Sequence, residues 1–405
     1  MLDAPSRLLA GRDGFGQGES DMSGFLPVDA ARATLLGRVD LGEGPTPVVL
    51  RGGRLEDLSA VAPTVADLLN SLAPGDPPPA GPDLGTFASQ GFGPAWLAAG
   101  GRRLLAPLDL QCIKAAGVTF AASALERVIE EQARGDPARA QALRAALAAR
   151  IGADLRSVRP GTEEAARLKA ALVAEGMWSQ YLEVAIGPDA EIFTKAPVLA
   201  AVGWGEFVGI RADSAWNNPE PEVVIVCDGA GRARGATLGN DVNLRDLEGR
   251  SALLLGKAKD NNASCAVGPF VRLFDEHFTL DDVRSAAVRL EIVGEEGFRL
   301  VESSDMGQIS RDPLELVRQA SGENHQYPDG FALFLGTMFA PIQDRGAAGQ
   351  GFTHHLGDLV RISSPSLGVL ENKVGLCGAI PPWTYGLGAL MRNLAGRGLL
   401  ARRQP

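Results

Sequence analysis

Cysteine is scarce in this chain: Cys112, Cys227, Cys265 and Cys377 are scattered through 405 residues with no CxxC spacing. That excludes a disulfide framework and a thiolate zinc site, and the expectation is reduced thiols in a cytoplasm. Long apolar runs are missing too. No stretch approaches the roughly 18 residues of a membrane span, and the first residues lack the basic start and apolar core of a signal peptide. A soluble, unexported, cytoplasmic protein is therefore expected. Positive charge is in deficit, with a net charge of −10 and no basic cluster before the terminal "ARRQP". Nucleic acid and anionic membrane suit such a surface poorly, so the expected partner is a small molecule. Internal repeats are absent. The glycine-rich run "DGAGRARG" is not GxGxxG and leads into no helical pattern, which predicts a hairpin turn rather than a phosphate loop.

What is present is a composition able to bury a large core, 45% hydrophobic and 22% charged. Residues 1–24 are polar and Gly-rich and are expected to form a flexible extension. From 25 to 122, short apolar pieces alternate with Gly and Pro, as in "GRVDLGEGPTPVVLRGGRLEDL", which predicts a small β-rich N-terminal domain. Between 123 and 175, apolar residues recur at three- and four-residue intervals, the pattern of a helical connector or lid. From 176 to 405, "QYLEVAIG", "PEVVIVCD", "VRLEIVG", "FALFLGT" and "DLVRISS" predict a mostly antiparallel sheet domain. The expected class is α+β, predominantly β.

The stretch "NNPEPEVVIV" sets Glu220 and Glu222 two residues apart at the mouth of a strand. Side chains alternate along a strand, so both carboxylates share a face, with Cα atoms about 7 Å apart. Carboxylate tips about 5 Å apart repel by roughly 3 kcal/mol at an effective dielectric of 20. Asp241 in "GNDVNLRDLEGR" arrives from the next predicted strand. Three carboxylates so arranged make an oxygen site for Mg²⁺, or Mn²⁺, with positions open for substrate and water. On spacing alone, the alternative is a solvated strand edge, which accounts for most ExE pairs. Lys257 and Lys259 follow in "LLLGKAKDNNASCAVGPF", either as surface charges or as an acid/base beside a cation. Arg245 and Asp246 are expected to form structural ion pairs, and the four histidines, His277, His325, His354 and His355, to be surface or structural.

In order along the chain, "NNPEPEVVIV", "GNDVNLRDLE", "AKDNNASCAVGPF", "FALFLGTMFAP" and "LGDLVRISSPSLGVLENKV" resemble the catalytic domain of the fumarylacetoacetate hydrolase superfamily over about 170–376. The longer phrases "WSQYLEVAIGPDAEIFTKAP" and "NHQYPDGFALFLGTMFAPIQDR" resemble its branch of 2-keto-3-deoxy-D-xylonate and D-arabinonate dehydratases, from about Phe25 onward. The resemblance implies a β-roll catalytic domain in which Glu220, Glu222 and Asp241 bind Mg²⁺. It implies Lys259 as the active-site lysine, Glu191 as the second acid/base group, and Thr337 as a contact for the substrate's carboxylate or keto group. Hydrolases of the superfamily carry a His three residues before a Glu at the entry to the first helix. Here "GVTFAASALE" keeps Glu126 and has Ser123 in the His position, a candidate substrate contact that could not activate water as an imidazole does.

The implied activity is Mg²⁺-dependent dehydration of a 2-keto-3-deoxy-D-pentonate to 2,5-dioxopentanoate in non-phosphorylating pentose catabolism, by a homo-dimer or homo-tetramer. Acylpyruvate hydrolysis and oxaloacetate decarboxylation are the alternatives the same superfamily allows.

Overall fold

Strands dominate because β-branched and apolar residues alternate between two buried faces in most of the short runs between Gly, Asp and Pro. The computed structural model describes residues 22–97, 101–134, 136–140, 158–174, 178–345 and 351–400. The N-terminal third supplies β1 (Leu35–Asp40), β2 (Pro45–Arg51), β3 (Arg54–Asp57), β4 (Asp83–Thr86), β5 (Arg103–Leu105) and β6 (Cys112–Gly117). Next come β7 (Glu191–Ala196), β8 (Phe207–Ile210), β9 (Asn217–Asn218), β10 (Pro221–Cys227), β11 (Ala233–Asp241), β12 (Asn243–Leu244) and β13 (Cys265–Leu273). The last are β14 (Ala287–Val293), β15 (Arg299–Asp305), β16 (Phe331–Phe334), β17 (Leu359–Ser364) and β18 (Gly368–Leu376).

Eleven strands share one sheet in the order β4-β3-β2-β1-β13-β11-β10-β16-β6-β7, with β5 also paired to β1. A second sheet runs β15-β14-β17-β18-β8, and β9 pairs with β12. Most pairs are antiparallel, while β16 with β6 and β18 with β8 are parallel. The turn in "DGAGRARG" joins β10 to β11 as the expected hairpin. β10 is covered on both sides: Val223 and Ile225 enter one apolar cluster, Val224 and Val226 another. A strand so enclosed holds its register tightly, because a one-residue slip would exchange the two sets.

The N-terminal strands continue this same sheet. β1 pairs with β13 at Leu35–Arg272 and Leu36–Val271, and β6 lies between β16 and β7. The division expected at residue 122 is therefore not a break in hydrogen bonding. Of the expected extension, residues 1–21 lie outside the described residues. Met22–Phe25 form a short helical turn whose Phe25 stacks on Trp204 at 4.6 Å.

"QYLEVAIG", expected as a strand, is instead the helix Gln180–Ile186. The Ser179 hydroxyl caps it by accepting from the Leu182 N–H at 3.4 Å. Its buried side chains, Tyr181, Leu182, Ala185 and Ile186, follow a helical spacing and pack with Val128 and Ile129 of the helix Ala121–Ala133. Five apolar residues in seven satisfy either period, and the cap decides for the helix. The helices Ala121–Ala133 and Glu163–Ala174 lie in the segment read as helical; residues 141–157 are outside the described residues.

Candidate metal centre and active site

The β10–β11 hairpin brings three carboxylates to one point. Its register pairs Pro221 with Asn240 and Glu222 with Gly239, so Asp241 stands across from Glu220, one step beyond, where its N–H donates to the Glu220 carbonyl at 3.1 Å. Residues directly opposite share a face, and so do residues two apart. One ligand oxygen each from Glu220, Glu222 and Asp241 all lie within 4.8 Å of one another, and each residue is at most 2% exposed.

Basic side chains from three other elements close around them. Lys259, last residue of the helix Leu255–Lys259, donates to Glu220 Oε2 at 2.5 Å and Asp241 Oδ2 at 3.1 Å. Arg127 donates to Glu220 Oε1 at 2.6 Å and to Glu248 at 2.5 Å. Lys195 sits 2.6 Å from Asp241 Oδ1. Burial alone would raise the Glu220 pKa, but Lys259 and Arg127 outweigh it and hold the group down at about 2. Burial works against the Lys259 ammonium, yet Asp241 and Glu220 raise its pKa above the usual value. Glu222 is driven well above the carboxylate range by burial and then by Asp241 and Glu220. Its own partner is the Gly336 N–H, 2.8 Å from Oε2.

β7 supplies the opposite wall. Alternation puts Glu191, Phe193 and Lys195 on one face; Glu191 and Phe193 line the cleft, and the Phe193 ring lies 5.9 Å from Lys259 Nζ. Glu191 pairs in register with Gly117 of β6, where a Cβ would overlap its carboxylate. Glycine at 117 thus makes the space that the acid fills. Burial, then the Glu248 charge, lifts the Glu191 pKa to about 7, a value suited to taking and returning a proton at neutral pH.

The same cleft is lined by Glu191, Glu220, Glu222, Asp241, Lys259 and Thr337, six of the seven residues expected from the sequence. The Thr337 hydroxyl donates to the Phe339 carbonyl at 2.7 Å. Ser123 falls in the helix Ala121–Ala133, but its side chain is outside the described residues. Arg127, Glu248 and Lys195 are not found by sequence reasoning, although Lys195 carries a signal: it lies four residues after Glu191, on the same strand face. Lys257 pairs with the exposed Asp213 at 3.2 Å and Arg245 stacks on Trp216 at 4.5 Å. None of the four histidines lines the cleft. The larger surface hollow bounded by Pro74, Arg234 and Glu276 is lined by none of the expected residues.

The donor set fits a hard divalent cation. Three buried carboxylates at one point are an oxygen-only site of the kind Mg²⁺ takes. Lys259, Arg127 and Lys195 offset part of the negative charge that these carboxylates bring together.

Known proteins share this fold. No protein-family model matches the chain. A 2-dehydro-3-deoxy-D-arabinonate dehydratase of Saccharolobus solfataricus is 34% identical over 184 residues, 45% of this chain and 58% of the relative. The chain thus matches less than two thirds of that curated relative's length. Among solved structures, a 2-keto-3-deoxy-D-arabinonate dehydratase complexed with magnesium and 2,5-dioxopentanoate superposes with a TM-score of 0.55 at 22% identity, covering 84% of this chain and 99% of that one. A fumarylacetoacetate hydrolase from Exiguobacterium antarcticum superposes with a TM-score of 0.53 at 16% identity, covering 85% and 100%. The chain has the fumarylacetoacetate hydrolase fold. Within that fold the three carboxylates are carried on the hairpin of the large sheet, with Glu191 on its edge strand β7.

Among the described residues no helix is long and apolar enough to cross a membrane, and Cys112, Cys227, Cys265 and Cys377 are free thiols.

Proposed function

We propose that this chain is a Mg²⁺-dependent dehydratase converting a 2-keto-3-deoxy-D-pentonate, derived from D-xylonate or D-arabinonate, to 2,5-dioxopentanoate. The observation that carries it is the convergence of three buried carboxylates with Lys259 and Glu191 in one cleft. Glu220, Glu222 and Asp241 would hold the cation, which when bound polarises the 2-oxo group of the acid and acidifies the neighbouring C–H. Lys259 and Glu191 are the proposed proton-transfer pair: one accepts the C3 proton and the other protonates the C4 hydroxyl as it leaves as water. A proton then leaves C5 of the unsaturated product as one is added at C3, giving an enol; loss of the C5 hydroxyl proton with protonation at C4 gives the aldehyde, so that the net change is loss of one water. Thr337 is the proposed contact for the carboxylate or keto group, with Ser123 a further candidate.

The test is incubation of the Mg²⁺-loaded protein with 2-keto-3-deoxy-D-pentonate, acylpyruvate and oxaloacetate in separate reactions. The aldehyde product is expected from the first alone, with a higher KM in Thr337→Val. Release of pyruvate or CO₂ without aldehyde overturns the assignment in favour of the hydrolase or decarboxylase. Assembly as a homo-dimer or homo-tetramer in the cytoplasm is also proposed, since among the described residues β15 ends the second sheet with an unpaired edge. Size-exclusion chromatography should give a species larger than the monomer; a single monomer peak at micromolar concentration removes this part.

A further inference from the structure

We infer that Lys195 is a positioning residue that aims the Asp241 carboxylate at the cation site and fixes the backbone carrying Lys259. The inference rests on the proposed metal role of the three carboxylates. Lys195 is completely buried, an unusual place for a lysine unless every proton is matched. An ammonium has three donors. Here they meet the Lys259 carbonyl at 2.6 Å, the Val242 carbonyl at 3.2 Å and Asp241 Oδ1 at 2.6 Å, the last a close ion pair rather than an aligned hydrogen bond. Two of its protons are engaged by backbone carbonyls and its charge is paired with Asp241, so the ammonium is held in place on three sides.

The contacts link two parts of the site. Asp241 is held on Oδ1 by Lys195 and on Oδ2 by Lys259, so its carboxylate cannot turn freely. The Lys259 carbonyl is held by Lys195 and also by the Ser264 hydroxyl at 2.6 Å, which anchors the end of a helix of only five residues. β7 thereby presents the proposed acid/base Glu191 and, four residues on, the side chain that orients both a metal carboxylate and the other acid/base group.

Charge alone would act in the opposite sense. An ammonium beside a cation site repels the cation, so a bystander at this position would weaken metal binding and its removal would tighten it. A residue that aims Asp241 weakens binding when lost. The experiment is a Mn²⁺ titration by calorimetry and electron paramagnetic resonance on the wild type, Lys195→Met, Asp241→Asn and the double variant.

Lys195→Met is expected to bind Mn²⁺ at least tenfold more weakly, and to add less than twofold once Asp241 is already Asn. Unchanged or tighter binding in Lys195→Met, or full additivity in the double variant, overturns the inference. Should Lys195→Met show no cooperative melt, Lys195→Gln, which keeps donors and much of the volume, enters the same cycle under the same criteria. Because Mn²⁺ binding is read without turnover, a wild type that binds the metal yet dehydrates nothing sinks the proposed function and still decides the role of Lys195.

Discussion

Replacing Lys259 with methionine abolishes dehydration, lowering kcat by about 10³-fold or more, while the protein continues to bind Mg²⁺. Loss of a positioned acid or base removes about 10²–10⁴ in rate, and here the same ammonium also contacts two carboxylates of the proposed metal centre. The stability consequence has a definite sign. The pKa of Lys259 is raised in the fold, so its stabilisation is complete below the unfolded value of about 10.4 and is lost only as pH climbs through the folded one. At neutral pH the metal-free variant therefore lacks it in full. Breaking one partner from a buried pair costs about 3–5 kcal/mol, so the variant should melt earlier in chelator than the wild type. Added Mg²⁺, taking over the charge of Glu220 and Asp241, should raise its Tm by more than it raises that of the wild type. Turnover within tenfold of wild type would remove Lys259 from the chemistry.

Glu222→Gln produces the opposite pairing of effects: the metal site fails while the metal-free fold becomes more stable. Burial and the charges of Asp241 and Glu220 push the Glu222 pKa well above its unfolded value of about 4.3. The stability contributed by the protonated acid is fully present below that unfolded value and falls as pH rises toward the folded one. Glutamine mimics the protonated form at every pH and escapes the loss. In the wild type, Mg²⁺ competes with a proton for Glu222, whose pKa is raised, so affinity should increase with pH and binding should release protons as pH falls toward that pKa, measurable by calorimetry in buffers of different ionisation enthalpy. In Glu222→Gln, affinity should drop at least about 100-fold, as expected for loss of a charged ligand, and the proton release should vanish. Proton release undiminished in the variant would show that another group titrates with the metal.

The carboxylate trio is legible in the amino-acid sequence because its geometry is local. Strand alternation aligns Glu220 with Glu222, and one hairpin turn carries Asp241 back across from Glu220. Arg127 and Glu248 are not legible, since each reaches the cleft from a separate helix and nothing in the spacing of "SALERVIEE" or "RDLEGR" marks which charge turns inward. The helix Gln180–Ile186 reads as a strand because its short, mostly apolar run suits both periods until Ser179 is recognised as its cap. The first third of the chain reads as β-rich, but strand pairing across most of the sequence, as between Leu35 and Arg272, leaves no trace in local pattern.

Long-range pairing also ties the candidate site to the first third of the chain. Among the described residues β7, which carries Glu191 and Lys195, pairs in the large sheet with β6, and β6 is contributed by residues 112–117. A fragment beginning after the helical segment would keep all three metal carboxylates and Lys259 yet leave Glu191 on a strand with no neighbour to dock against. The proposed proton pair thus joins a strand docked on β6 to the short helix Leu255–Lys259 beside it, and the N-terminal third sets where Glu191 stands.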